Sequence, residues 1–253
     1  MRFVIESHVP LTQSVYHMRL SGDTHAIVRA GQFVQVQLPG FYLRRPISVC
    51  DWRPGEDGTL DLIYKVVGLG TEAMSRYAAG TELDLLTGLG NGFDVDRLDE
   101  VTASQFPLLV GGGVGTPPMY GLCKKLLAAC KKPRVILGFN TEAEVFWKQE
   151  FEALGAPVTV TTADGTQGVR GFVTDAMAPL EGQYDYVYAC GPEPMLRAVH
   201  ALCEKQDIHG QFSFEERMAC GFGVCMGCSC KTKYGSKRIC KDGPVLRREE
   251  ILW

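Results

Sequence analysis

One change of rhythm constrains this chain more than any other feature. From about residue 105 the apolar residues fall into apolar runs alternating with helical segments: FPLLVGGG, PPMYGLCKKLLAACKK, RVILGFN, EAEVFWKQEFEALG, APVTVTTAD, YDYVYACG and EPMLRAVHALCEK. Repeated strand-then-helix is the signature of βαβ units, which build a parallel sheet with helices on its faces. The runs are continuously apolar, as strands buried on both faces require. Before that point the period is two. GQFVQVQLP sets Val34, Val36 and Leu38 on one face and Gln35 and Gln37 on the other, and GTELDLL repeats the device. Turn signals (SGD, RPGEDG, AAG, GNG) separate these short runs, so the first part reads as a small antiparallel barrel or sandwich.

A chain of 253 residues is longer than one core usually spans. The expected organisation is a multidomain β plus α/β protein: an antiparallel β domain over residues 1–99, a parallel-sheet α/β domain over 100–211, and a short segment over 212–253. That last segment has too few apolar residues for a core of its own. The net charge of -3, with no block of like charges, argues against nucleic acid or an anionic membrane as partner. Glu6, His8 and Arg19 interrupt the N-terminal stretch where a signal peptide would be apolar, and no membrane-spanning run is present. The expected compartment is the cytoplasm.

Disulfides are rare in that compartment, so clustered cysteines point to metal ligands or redox groups. Five of the ten cysteines lie in ACGFGVCMGCSCKTKYGSKRIC, residues 219 to 240. Cys220, Cys225 and Cys228 are spaced C-x4-C-x2-C, and Cys240 follows after eleven intervening residues. This is the spacing of plant-type [2Fe-2S] ligation. Zinc, the alternative, prefers paired C-x2-C arms, and only one arm is present. Gly221, Gly223 and Gly227 would free backbone amides to approach the sulfurs. Cys230 is a fifth thiol whose spacing disfavours it as a ligand. Cys50, Cys123, Cys130, Cys190 and Cys203 are scattered among apolar residues, and most of them read as small buried hydrophobes.

Two glycine turns suggest a nucleotide. In LLVGGGVGTPPMYGL a strand runs through Gly111, Gly112, Gly113 and Gly115 into a helix begun by Thr116, with Pro117 and Pro118 in its first turn. Glycines there would let amides and the helix dipole face a phosphate. The strict G-x-G-x-x-G fingerprint fails, because its third glycine falls on Thr116 or Pro118, and a tight structural turn is the competing reading. The second turn follows YDYVYACGPEPM, where Cys190, Gly191 and Pro192 end a strand and Met195 opens a helix. Ligands of open α/β sheets bind outside the carboxyl ends of the strands, so both turns would face one crevice.

In the β domain, LRRPISVCDW offers Arg45 as a bidentate pyrophosphate clamp and Ser48 as a hydroxyl donor. The alternative is a solvated strand end. Ile63, Tyr64 and Lys65 lie in a strand, and Gly70 and Thr71 open a turn-to-helix stretch suited to phosphate. No catalytic acid/base or nucleophile constellation is visible. The five histidines lack metal spacing, and Glu215 and Glu216 read as a solvated face.

RRPIS, IYK with GT, VGGGVG, ACGPEPM and EERMACGFGVCMGC with a later Cys occur in the order of a known family. Over essentially its full length the chain resembles the electron-transfer subunit of NAD-dependent (class 1B) dihydroorotate dehydrogenase, a branch of the ferredoxin-NADP reductase superfamily. The resemblance implies an N-terminal FAD-binding β-barrel, a central NAD-binding α/β domain and a C-terminal [2Fe-2S] segment. By motif match Arg45, Pro46, Ile47, Ser48, Ile63, Tyr64, Lys65, Gly70 and Thr71 would hold FAD, and Cys220, Cys225, Cys228 and Cys240 the cluster. Ile47 stands where the wider superfamily has a flavin-stacking Tyr, but it fits this branch. The partner implied is an FMN-containing catalytic subunit, in a heterotetramer of two of each. Electrons from dihydroorotate would cross the cluster to FAD and leave on NAD. Related hydrogenase, sulfide dehydrogenase or transhydrogenase reductase subunits share the plan.

Overall fold

The structure, a computed structural model, describes residues 1–253. Strands β1 (Arg2–Pro10), β2 (Val15–Gly22), β3 (Phe33–Val36), β4 (Arg45–Arg53), β5 (Gly58–Lys65) and β6 (Glu82–Leu89) close into an antiparallel barrel in the order β1-β2-β5-β4-β3-β6. A short helix, α1 (Leu69–Met74), lies between β5 and β6. The period-two pattern explains the closure, because Phe3, Ile5, Met18, Leu20, Val34, Val36, Leu60 and Leu62 all turn inward and are fully buried.

After α2 (Asp99–Ala103) come β7 (Pro107–Gly112), α3 (Thr116–Ala128), β8 (Arg134–Phe139), α4 (Lys148–Ala153), β9 (Val158–Thr162), β10 (Val169–Arg170), α5 (Val173–Met177), β11 (Tyr186–Cys190), α6 (Glu193–Gln206) and β12 (Gly210–Ser213). The tail adds β13 (Ser229–Thr232), β14 (Gly235–Arg238) and β15 (Val245–Arg247). Seven strands form one sheet in the order β10-β9-β8-β7-β11-β12-β15. Every pairing in it is parallel except β12 with β15. From β7 the chain winds outward through β8 and β9, whereas from β11 it winds the opposite way through β12. The strand order therefore reverses between β7 and β11, and such a switch point opens a crevice at the carboxyl ends of the strands.

One helical expectation is shortened. EAEVFWKQEFEALG forms only a single 3-10 turn at Glu142–Glu144 and then α4. The cause is Trp147, which sits in the left-handed region (φ 61°) and packs edge-on to Tyr120 and His17. Tertiary aromatic packing overrides the helical period at that point.

The barrel and the sheet share a core in which Val15, Cys50, Ile63 and Phe93 pack with Leu109, Met119, Leu122 and Tyr188. The tail is tied to both. β15 pairs antiparallel with β12, and Asn91, just after β6, donates to the Val245 carbonyl (2.8 Å) and accepts from the Val245 amide (3.1 Å). The outer face of β3 is covered as well, so all four of its residues are buried. Phe33 on that face packs in the core that contains Cys228, Ile239 and Cys240.

Candidate functional site

The two glycine turns lie side by side at the switch point. A Cβ on Gly112 would stand 2.5 Å from Met195 Sδ, and one on Gly191 would stand 2.6 Å from Met195 Cε. At Gly115 it would run into the Cys190 carbonyl, and at Gly111 it would meet Thr116 Cα at 3.0 Å. Four of the five glycines thus lie in the contact of the two turns with each other or with the helix that follows, and at Gly115 the obstacle is main chain that cannot give way. Gly113 differs, because it adopts φ 52° and nothing lies within 4 Å of the position its Cβ would take. The space beside it is open to an approaching anion. Thr116, fully buried at the start of α3, leaves its hydroxyl without a protein partner. A buried hydroxyl without a partner costs about 1–3 kcal/mol, so a ligand that supplies one fits here.

In the barrel, the Arg45 guanidinium lies across the start of α1 and over the Phe41 ring (5.0 Å) while donating to the Leu43 carbonyl. Gly70 is what lets it do so, since a Cβ there would be 2.6 Å from Arg45 Nη2. The Thr71 hydroxyl is committed to its own turn, donating to the Gly68 carbonyl (3.0 Å) and accepting from the Val67 amide (2.9 Å). Ser48 lies directly opposite Phe33, and Pro46 directly opposite Gln35. Ile47, which points the other way, belongs to the barrel core. In β5 the side chains part company. Ile63 enters the core shared with the sheet, Lys65 reaches Glu144 (3.4 Å), and the Tyr64 hydroxyl pairs with His8 Nε2 (2.9 Å). Burial pushes the Tyr64 phenol well up, with Tyr16 and Tyr77 adding to the effect, so it stays protonated.

The cysteine loop is turned by Gly221 (φ 79°), Gly223 (φ 88°) and Met226 (φ 62°). Cys220 Sγ accepts from the amides of Val224 (3.3 Å) and Cys225 (3.5 Å), and Cys228 Sγ from that of Cys240 (3.4 Å). Burial works against ionisation of Cys220, yet the amides of Cys225, Phe222 and Val224 outweigh it, and the thiol is pulled down to about 6. Burial, then the neighbouring Cys228 thiol, pushes Cys240 up to about 12. The thiols stand as two pairs, Cys220 with Cys225 and Cys228 with Cys240. Four thiols drawn together in one loop suit the four-thiolate ligation of a [2Fe-2S] cluster.

All three parts meet at a cleft of about 680 Å³ lined by Arg45 and Pro46 of the barrel, Gly191 and Pro192 of the second turn, and Cys230 and Trp253 of the tail. That is a volume ordinary for a bound cofactor. Cys230 lies on β13, and burial, then the nearby Glu216, raises its thiol.

Residues 215–252 match the family described as the iron-sulfur cluster binding domain of dihydroorotate dehydrogenase B, and residues 109–201 match an oxidoreductase NAD-binding domain. The dihydroorotate dehydrogenase B (NAD(+)) electron transfer subunit of Fusobacterium nucleatum is 40% identical over 258 residues, covering 98% of this chain and 96% of that one. The subunit of the same description from Geobacillus sp. is 37% identical over 260 residues, 99% of this chain and 98% of its own. The chain belongs to this electron transfer subunit family. A solved structure concerned with flavin-based electron bifurcation by an NADH-dependent reduced ferredoxin-NADP oxidoreductase superposes with a TM-score of 0.87 at 30% identity, covering 99% of this chain and 89% of that one. A ferredoxin NADP+ reductase from Neisseria gonorrhoeae, with bound FAD and NADP, shares the fold (TM-score 0.68, 15% identity, 81% of this chain and 91% of that one).

Within this family member the burial of Gln35 is not predicted by the sequence pattern. Gln35 sits on the face of β3 assigned to polar side chains, yet it is fully buried and both atoms of its carboxamide lack a partner. The alternation itself is correct. What covers that face is the cysteine loop, where a Cβ on Gly221 would stand 2.5 Å from Gln35 Nε2. No local signal in FVQV announces a loop nearly 190 residues away.

Proposed function

We propose that this chain carries electrons between an FMN-containing dihydroorotate dehydrogenase catalytic subunit and NAD, in a cytoplasmic heterotetramer of two of each, as part of pyrimidine biosynthesis. The observation that carries this reading is the convergence on one cleft of the Arg45 cradle, the glycine turn of the switch point and the tail that bears the paired cysteines. When bound, FAD supplies the exchange between a two-electron hydride and single electrons, and the cluster supplies the one-electron path.

The chain's own residues do the rest. Arg45 and the start of α1 offer positive charge to a pyrophosphate, and Ser48, on the other face of β4, offers a hydroxyl donor. Gly113 and Thr116 offer main-chain approach and a free hydroxyl to the dinucleotide substrate. Acidic Glu142 and Glu144 follow β8, where a 2'-phosphate would be repelled, which favours NAD over NADP. Cys220, Cys225, Cys228 and Cys240 hold the irons. Phe222, Val224 and Met226, all more than half exposed on the cysteine loop, offer an apolar surface to the catalytic subunit.

The bifurcating oxidoreductase likeness supports a second reading, a reductase subunit of a transhydrogenase-type complex. Co-expression with an FMN subunit and assay of dihydroorotate-dependent NAD reduction separates the two. Activity that requires this chain is expected; full activity without it, or none with it, overturns the assignment.

A further inference from the structure

We propose that the Gln35 side-chain amide is a hydrogen-bond donor to the sulfurs of the iron-sulfur cluster and raises its reduction potential. Gln35 is fully buried, and neither its Nε2 nor its Oε1 has a protein partner. Buried amides are nearly always paired, so the partner of this one belongs to a group that the holoprotein holds beside it. Its surroundings say which. Gly221 follows the ligand Cys220 directly, takes φ 79°, and packs its Cα so closely on Gln35 that a Cβ would stand 2.5 Å from Nε2 and 2.9 Å from Cγ. Phe33, two residues earlier on the same face of β3, packs in the core that holds Cys228 and Cys240. The carboxamide is therefore enclosed under the ligand loop.

The strand holds the side chain there. The Gln35 main chain pairs with Pro46 and Leu86, and Arg44 donates to its carbonyl (3.4 Å). An N–H aimed at a thiolate or sulfide stabilises the reduced, more negative cluster more than the oxidised one, which raises the potential. The barrel that carries the flavin motif would thus set the potential of the cluster beside it.

This inference rests on Cys220 and its partners holding the cluster, and the test keeps the two apart. The wild-type holoprotein, grown with glutamine labelled with 15N in the side chain and then reduced, is examined by pulsed EPR. A resolved coupling from a side-chain 15N to the cluster spin is expected. Its absence in protein with full iron and sulfide content overturns the role of Gln35, whereas absence of iron and sulfide in the wild type overturns the cluster assignment itself. Gln35→Met, of similar length but without a donor, is expected to lose that coupling and lower the cluster midpoint potential, with FAD content and NADH reduction of FAD retained. An unchanged cluster potential, or a shift confined to the flavin potential, overturns the proposal.

Discussion

Met195 of the second glycine turn rests its sulfur on Gly112 of the first, so closely that a single Cβ on Gly112 would stand 2.5 Å from Sδ. The two βα turns on either side of the switch point are locked as one unit, and the glycines of that unit divide by purpose.

Gly115→Ala drives a methyl into the Cys190 carbonyl, which is main chain and cannot move aside. It is expected to cost about 2 kcal/mol, a fall of roughly 4–8 °C in Tm for a chain of this size. Gly113→Ala meets no neighbour and pays only for its left-handed backbone, about 1 kcal/mol. Its methyl instead stands where a phosphate would approach, so KM for NADH should rise about tenfold, equivalent to ~1.4 kcal/mol. Thermal melts and steady-state kinetics on the two variants check the division; a Gly113 variant with unchanged KM would remove that residue from the nucleotide site.

Cys225→Ser should abolish the visible spectrum of the cluster and the passage of electrons to the catalytic subunit while NADH still reduces FAD. Cys230→Ser should keep the cluster, because that thiol lines the cleft from β13 and lies outside the two pairs. Iron and sulfide analysis beside stopped-flow reduction of FAD distinguishes the outcomes. Loss of FAD reduction in a folded, FAD-replete Cys225 variant would break the assigned division of roles.

Val224 is 73% exposed at the tip of the cysteine loop and supports no core. Val224→Asp should therefore leave Tm and cluster content unchanged but weaken binding of the catalytic subunit at least tenfold, ~1.4 kcal/mol or more. Isothermal titration with the purified catalytic subunit reads this directly, and wild-type affinity would place the contact elsewhere.

Asp61, buried in the barrel wall, accepts from His17 Nε2 (2.7 Å), Arg19 Nε (2.9 Å) and Arg19 Nη2 (3.0 Å). Burial alone would raise its pKa, but the bonds from His17 and Arg19 outweigh it and hold the carboxyl below the ordinary 3.8. A depressed folded value means stabilisation present above the unfolded value and lost as pH falls through the folded one. Asp61→Asn should accordingly cost about 2 kcal/mol at pH 7, with a difference from wild type that narrows only below pH 3.8. Urea unfolding followed by circular dichroism at pH 7 and at pH 3.5 measures both; a constant difference would contradict the ionic account.

The barrel and the sheet were legible because period two and the strand-helix alternation each follow from burial of one face or of both. The two turns were legible for the same local reason, but not the main reason for their glycines, which is contact between segments some 75 residues apart in the chain. Ile47 shows a similar limit. Its position in RRPIS matches a flavin motif, yet its side chain turns into the barrel core. Trp147 and Gln35 escaped because the forces on them are tertiary: aromatic packing breaks a helix in one case, and a distant loop buries a polar strand face in the other. In the cysteine loop, by contrast, the spacing is a local signal, and the proposal that sets Cys230 apart from the four ligands rests on it, since a short loop can wrap only certain thiols together.

β15 lends the tail a property that its position at the end of the chain conceals. By pairing with β12 it covers that strand's outer side and itself becomes the sheet edge, and through Asn91 it clasps the barrel. The cysteine-bearing segment is therefore not a detachable cassette. Cutting the chain at residue 212 would bare a row of unpaired main-chain groups and unseat two domains at once, so an engineer wishing to exchange the cluster must splice within residues 220 to 240 and leave the last strand in place.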